Sequence, residues 1–264
     1  ISNYGMRDYF RDDLNKIDDN NGDQGSIIAG WDVHNKQYVL STKKANTTEF
    51  NTLCFDEDVL GWTSFFTYNP EQILSLRNKL YTVGTNADET VRGIWAHYDE
   101  TSPRGSFYGT TTKSSITFVF NPKVSMSKVF QTVNYEGSNG WQVDSFISDA
   151  TGVDLYGTDY KSTNDKTLNV FSYVQGSYDD AGAVYPAALT PPINRAGFDR
   201  KENKYFANLV NNSAATQGEI LWGMEISGIK GYFATVTVST DSVTDVGGPK
   251  DLFAVSSNFV ESSY

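Results

Sequence analysis

Ser115-Ile116-Thr117-Phe118-Val119-Phe120 and, beyond Asn121-Pro122, Lys128-Val129-Phe130-Gln131-Thr132-Val133-Asn134-Tyr135 are the two runs that decide the fold class. Both are built from β-branched and aromatic residues, which fit a pleated, half-buried surface, and the Asn-Pro pair between them breaks a strand. Runs of this kind recur roughly every 8 to 12 residues, the rhythm of a sandwich, barrel or propeller-like sheet. The expectation is an all-β or β-dominated α+β chain with antiparallel sheets and one short N-terminal helix.

Working outward toward the N-terminus, Gln72 to Val83 reads as a strand pair turning at Arg77-Asn78-Lys79, and Ile94 to His97 extends that series. Asn51 to Tyr68 reads as two strands hinged at Gly61. Ser26 to Asp32 and Gln37 to Thr42 form a hairpin around Val33-His34-Asn35-Lys36, which makes His34 a turn residue. Met6 to Ile17 places Tyr9, Phe10, Leu14 and Ile17 at helical spacing, enough for about three turns.

Toward the C-terminus, Thr151 to Asp165 is dominated by Gly, Thr, Asp and Asn and reads as a long loop or domain boundary, and Gly176 to Pro192 is irregular and holds Pro186, Pro191 and Pro192. Gly231 to Val238 alternates so that Tyr232, Ala234, Val236 and Val238 share one face, opposite Phe233, Thr235 and Thr237. Gly218 to Ile226 and Ile229 to Ser239 flank Ser227-Gly228 as a hairpin. The tail Leu252 to Tyr264 is apolar for a terminus and is expected to dock. The organisation expected is a β-rich domain over 1–150 with the N-terminal helix, an irregular boundary over 151–192, and a C-terminal β region over 193–264 packing on the first.

Composition limits the function. The 264 residues hold 32 acidic against 21 basic side chains, a net charge of −11 that repels a phosphate backbone, so nucleic acid is not an expected partner. No apolar run reaches the roughly 18 residues of a membrane span, so a soluble chain is expected. Aromatic residues at 14% place the chain among folded proteins, because disordered segments are poor in them. Ile1 opens the sequence without Met, which suggests a processed product or the C-terminal piece of a longer polypeptide.

Chemistry is sparse. Two histidines, His34 and His97, and the single Cys54 do not make a zinc set, and no cofactor motif is present. Cys54, between Leu53 and Phe55, reads as a small buried apolar residue. The acidic run Asp18 to Asp23 lacks the EF-hand pattern, since Ile17 and Ile28 stand where its outer ligands belong. It is expected to be a hydrated turn, with a non-EF calcium site as the alternative. His97, two residues after Trp95, is expected to pack or to end a strand. Gly-x-Ser-x-Gly and phosphate-loop motifs are missing. Within Asp56-Glu57-Asp58 only Asp56 and Asp58 share a strand face, and a solvated strand end is preferred to a glycosidase pair. An enzyme is not expected, and no catalytic residue is assigned.

A family resemblance adds what the chemistry lacks. Glu57-Asp58-Val59-Leu60-Gly61-Trp62-Thr63-Ser64-Phe65 is followed by Pro70-Glu71-Gln72, Phe107-Tyr108-Gly109-Thr110, Ser114 to Asn121, and Val133-Asn134-Tyr135-Glu136-Gly137. This order resembles virion structural proteins of tailed bacteriophages, particularly large tail or baseplate-region proteins of marine phages. The hairpin from Ile28 to Ser41 is similar to repeated sheet elements of the same family. The resemblance implies a tail, baseplate or tail-adaptor component of a virion, assembled in the host cytoplasm. Its partners would be copies of itself and other virion proteins, through a homo-oligomer. It transfers no catalytic site and no cofactor.

Aromatic side chains are efficient interface anchors, so Trp62, Trp95, Tyr108, Trp141 and Tyr264 are the candidate interface residues, each also readable as core. The competing function is a carbohydrate- or receptor-binding module of a tail fibre or spike. For that role, Trp95-Ala96-His97-Tyr98 and Tyr156 to Tyr160 could stack on a host glycan.

Overall fold

The computed structural model describes residues 5–17, 24–86, 88–149, 196–202, 204–209, 228–241 and 244–262, together with short strand pieces at Gly152–Val153, Asp159–Tyr160 and Val170–Phe171. Strand dominates throughout, with one short helix, as the β-branched and aromatic runs require. The chain divides into two compact units, Ile1–Thr112 and Lys113–Tyr264.

The first unit begins with helix α1 (Arg7–Leu14), shorter than the periodicity of residues 6–17 predicts. The loss is at the C-terminal end, where the N–H groups of Lys16 and Ile17 bond to Asp13 O at 3.1 Å and Leu14 O at 3.2 Å, three residues back, so the chain tightens out of the α-helix. Strands β1 (Ser26–Asp32), β2 (Gln37–Lys43), β3 (Phe50–Asp56) and β4 (Gly61–Phe66) follow as an antiparallel meander in the order β1-β2-β3-β4. Strands β5 (Gln72–Leu76), β6 (Lys79–Thr85) and β7 (Arg92–Ala96) form a second sheet. A minimal hairpin of β8 (Ser106–Phe107) and β9 (Thr110–Thr111) completes the unit.

Helix α1 covers one face of the four-stranded sheet. Phe10 is buried against Trp62 at 5.0 Å between ring centroids, and Tyr9 meets Phe65 edge-on at 5.8 Å. Asp13, buried at the end of the helix, accepts hydrogen bonds from Thr42 Oγ1 at 2.7 Å and Asn51 Nδ2 at 3.1 Å. Burial of Phe10 contributes on the order of 1.5–3 kcal/mol, and those two bonds satisfy a carboxylate that burial would otherwise penalise.

Strand β5 approaches the opposite face at Gly30, where a Cβ would fall 2.4 Å from Ile73 Cγ2. Glycine is required there by close approach. The β5–β6 turn is a tight one. Arg77 and Asn78 have φ of 49° and 61°, and Leu76 pairs directly with Lys79. Two consecutive positive φ values are the signature of a type I′ turn, whose twist matches that of the strands it joins.

The second unit contains β10 (Ser115–Phe120), β11 (Lys128–Phe130), β12 (Thr132–Gly137), β13 (Trp141–Ser148), β14 (Gly152–Val153), β15 (Asp159–Tyr160) and β16 (Val170–Phe171). It continues with β17 (Ala196–Gly197), β18 (Asp199–Lys201), β19 (Lys204–Asn208), β20 (Ile229–Gly231), β21 (Ala234–Thr240), β22 (Leu252–Ser256) and β23 (Phe259–Glu261). Its main sheets run β10-β21-β13-β16-β17, β18-β19-β12-β22 and β20-β11-β23, and β14 pairs with β15. All described pairings are antiparallel except β16 with β17. No sheet among the described residues closes into a barrel.

The core of this unit joins residues far apart in sequence. Phe130, Phe146, Ala234 and Val236 are fully buried, and Tyr135 stacks on Tyr205 with ring centroids 4.5 Å apart. The apolar tail docks as expected, with β22 on β12 and β23 on β11, while Tyr264 lies outside the described residues. The long alternation from 231 is broken. Asp149 Oδ1 accepts the N–H groups of Tyr232 at 2.7 Å and Phe233 at 3.3 Å, which ends β20 and turns Tyr232 out to solvent. Ala234, Val236 and Val238 keep the buried face that the sequence assigns them, and Tyr232 does not. The first strand of the expected hairpin, 218–226, with Ser227, and most of 151–192 lie outside the described residues.

Candidate assembly surfaces

Successive residues of a strand point to opposite faces, so one position decides which side chains of β5–β7 are offered outward. On the inner face, Ser75 donates to Trp31 O, and Leu80, Thr82 and Gly84 are buried. Thr82 is the hub. Tyr108 OH donates to Thr82 Oγ1 at 2.9 Å, and His97 Nε2 shares a 2.8 Å hydrogen bond with the same oxygen. The Tyr108 ring lies over Gly84, where an added Cβ would sit 2.5 Å from Cε2. Trp95 stacks on Tyr108 at 5.1 Å and donates from Nε1 to Gly84 O at 3.0 Å.

Burial sets the electrostatics of this knot. It lowers the His97 pKa from 6.5 to about 4, so the imidazole is neutral at pH 7. It also pushes the Tyr108 phenol up to about 12. Cys54 Sγ, buried as expected, lies 2.9 Å from Gln37 Oε1, and burial raises its pKa to about 12.

With these side chains turned inward, cross-strand register assigns Leu74, Leu76, Tyr81, Val83, Ile94 and Ala96 to the outer face of β5–β7. Leu74 is 52% exposed, Leu76 63% and Ile94 72%. Contiguous apolar exposure of this kind marks an interaction surface. Arg77 and Lys79 stand at its turn end, and neither side chain forms a close ion pair among the described residues, although the Lys79 charge acts on Asp99.

A second exposed apolar feature is the β3–β4 turn. Asp56 Oδ1 accepts the N–H groups of Asp58 at 2.9 Å and Val59 at 3.2 Å, while Oδ2 accepts from Gln37 Nε2 at 2.8 Å. The Gln37 bond, followed by these backbone bonds, holds the Asp56 pKa below its usual value. Asp56 is thus a turn-capping residue whose oxygens are engaged. Val59 is 68% exposed and Leu60 57% exposed, and Leu60 has φ of 54°. A bulky side chain in the left-handed region costs on the order of 1 kcal/mol or more.

Four of the aromatic candidates spend their rings within the chain. Trp62 packs on Phe10 and on Phe55 at 5.4 Å, and its Nε1 is buried without a partner among the described residues. Trp95 and Tyr108 belong to the Thr82 knot. Trp141 is buried in the second unit and donates to Asp251 O at 3.1 Å. Tyr264 is outside the described residues. The outward apolar residues Val59, Leu60, Leu74, Leu76 and Ile94 were not singled out by the sequence, although the alternation of Ile73-Leu74-Ser75-Leu76 carried a signal for two of them.

His34, the expected turn residue, stacks on Tyr98 at 4.4 Å. Tyr98 OH in turn donates to the buried Asp32 carboxylate and accepts from Asn35 Nδ2 at 2.8 Å. The Trp95-Tyr98 segment is therefore committed to packing and hairpin closure. Elsewhere in the first unit, a cleft of about 980 Å³ is lined by polar groups that include Lys43, Thr67, Asn69, Asn86 and Glu89. No group of His, Cys, Asp and Glu suited to a metal is found among the described residues, and no helix there is long and apolar enough to cross a membrane.

Residues 102–212 match the family model described as the Crassvirus muzzle protein C-terminal domain. The match covers less than half of the 264 residues and takes in strands β8 to β19. It supports a bacteriophage virion structural protein. The description names a muzzle protein, and neither a tail, a baseplate nor marine phages. No curated protein matches the chain.

Proposed function

We propose that this chain is a non-enzymatic structural component of the tail or baseplate region of a phage virion, of muzzle type, acting by assembly with its own copies and with other virion proteins. The observation that carries the reading is the match over 102–212 to a muzzle C-terminal domain. The outward apolar face of β5–β7 supports it physically, because such a surface gains stability when a neighbour removes it from water. The assembly reading needs no catalytic group. The test is mass spectrometry of purified particles of the encoding phage, with gold-labelled antibody to place the chain. Stoichiometric presence at one end of the tail supports the reading, and absence from purified particles overturns it.

A second reading is favoured by the cleft of the first unit, whose amide, hydroxyl and charged groups beside the rings of Tyr68 and Phe107 suit the hydroxyls and apolar faces of a host glycan. Saturable binding of one bacterial surface glycan, lost in Asn69→Ala, would establish it. No binding across a glycan panel would dismiss it.

A further inference from the structure

We infer that the β3–β4 turn of one copy docks on the outer face of β5–β7 of the next copy, so that the first unit carries both halves of a head-to-tail contact. This rests on the assembly reading and names its interface. The face offers Leu74, Leu76 and Ile94 at its centre and, at its turn end, the cations Arg77 and Lys79, of which Lys79 also acts on Asp99 within the chain. The turn offers the mirror of that chemistry. Val59 and Leu60 project into solvent, preceded by Glu57 and Asp58, which form no ion pair among the described residues.

Charge complementarity selects the occupant. A protein of net charge −11 that repels its own copies overall can still associate where a basic rim meets an acidic tip. The apolar centres supply the area, and the charged pairs fix register and orientation. The tip is also built for presentation. Asp56 fixes the turn through two backbone N–H groups, and Leu60, left-handed just before the Asp56–Gly61 pair, closes the hairpin with its side chain 57% exposed. Because the two patches differ, the contact is heterologous, and repetition builds a ring if the rotation closes and a filament if it does not.

The experiment uses the full chain and two charge reversals, Arg77→Glu with Lys79→Glu, and Glu57→Lys with Asp58→Lys. Light scattering and sedimentation measure self-association of each alone and of their equimolar mixture. The expected result is that each reversal alone weakens self-association by at least about tenfold, and that mixing restores it. Leu60→Gly adds a variant that does not threaten the fold, since glycine relieves the positive φ while removing the docking side chain. It should weaken association with stability unchanged or raised.

Self-association that ignores both reversals overturns the inference. So does failure of the mixture to recover, or a wild-type chain that stays monomeric at the highest attainable concentration. If the chain is nevertheless found in purified particles, the assembly reading stands and only this contact falls; if it is absent from them, the reading itself falls.

Discussion

Tyr98 reaches back 66 positions to donate its hydroxyl to the buried carboxylate of Asp32. Asp32 Oδ1 also accepts the N–H groups of His34 at 2.9 Å and Asn35 at 3.4 Å, so one carboxylate closes the β1–β2 turn and anchors the segment after β7. Burial, followed by this bond to Asp32, raises the Tyr98 pKa well above its ordinary value. The phenol therefore stays a donor throughout the physiological range.

Tyr98→Phe removes that donor and leaves Asp32 with its two backbone partners. Hydrogen bonds to charged groups are worth about 1.5–3 kcal/mol, and a loss of that size is expected in urea denaturation at pH 7. Retained stability would show that the backbone N–H groups suffice.

The His97 pKa gives a pH dependence with a definite sign. The unfolded chain takes up this proton near pH 6.5 and the folded chain only near pH 4. The stability that depends on a neutral His97 is complete above pH 6.5 and is lost as pH falls toward 4. Urea midpoints should drop between pH 6.5 and 5 in the wild type, above the range where most carboxylates titrate, and His97→Gln should flatten that segment. Parallel curves for the two proteins would refute it.

Gly84→Ala drives a methyl into the Tyr108 ring and should destabilise the first unit by about 1–3 kcal/mol. Combining it with Tyr108→Ala should cost less than the sum of the two changes, because the second removes the clash that the first creates. Additive losses would separate the two residues.

Cys54 is shielded by burial, which also raises its thiol pKa to about 12. A thiol reagent should label native protein far more slowly than urea-unfolded protein at pH 8, since the thiolate is the nucleophile. Equal rates would mean that β3 opens readily.

Lys128 is fully buried, with Nζ donating to Lys123 O at 3.0 Å and Met126 O at 2.7 Å. Lys128→Met keeps the apolar stem and removes the donor. A loss of about 1–3 kcal/mol is expected, with faster amide exchange concentrated in residues 123–127. Uniform exchange would point to a global effect.

Local chemistry made much of the strand plan readable. Ser115–Phe120 appears at the bounds its β-branched and aromatic composition indicates, and Arg77-Asn78 makes the expected β5–β6 turn, with Lys79 opening β6. The division into two units was not readable in this way. It follows from β13 pairing with β21 across more than 80 residues, and no local signal encodes such partners.

The candidate surfaces show the same split. Alternation in Gln72-Ile73-Leu74-Ser75-Leu76 already separates Leu74 and Leu76 from Ile73, because period two is a property of the strand itself. Composition could not say which set faces inward. That depends on Ile73 meeting the bare Cα of Gly30, on Ser75 reaching Trp31 O, and on Tyr108 covering Gly84. Strands, turns and two-sidedness are local properties of the chain, whereas the choice of which side is core is not, because burial belongs to pairs of elements and not to either one alone.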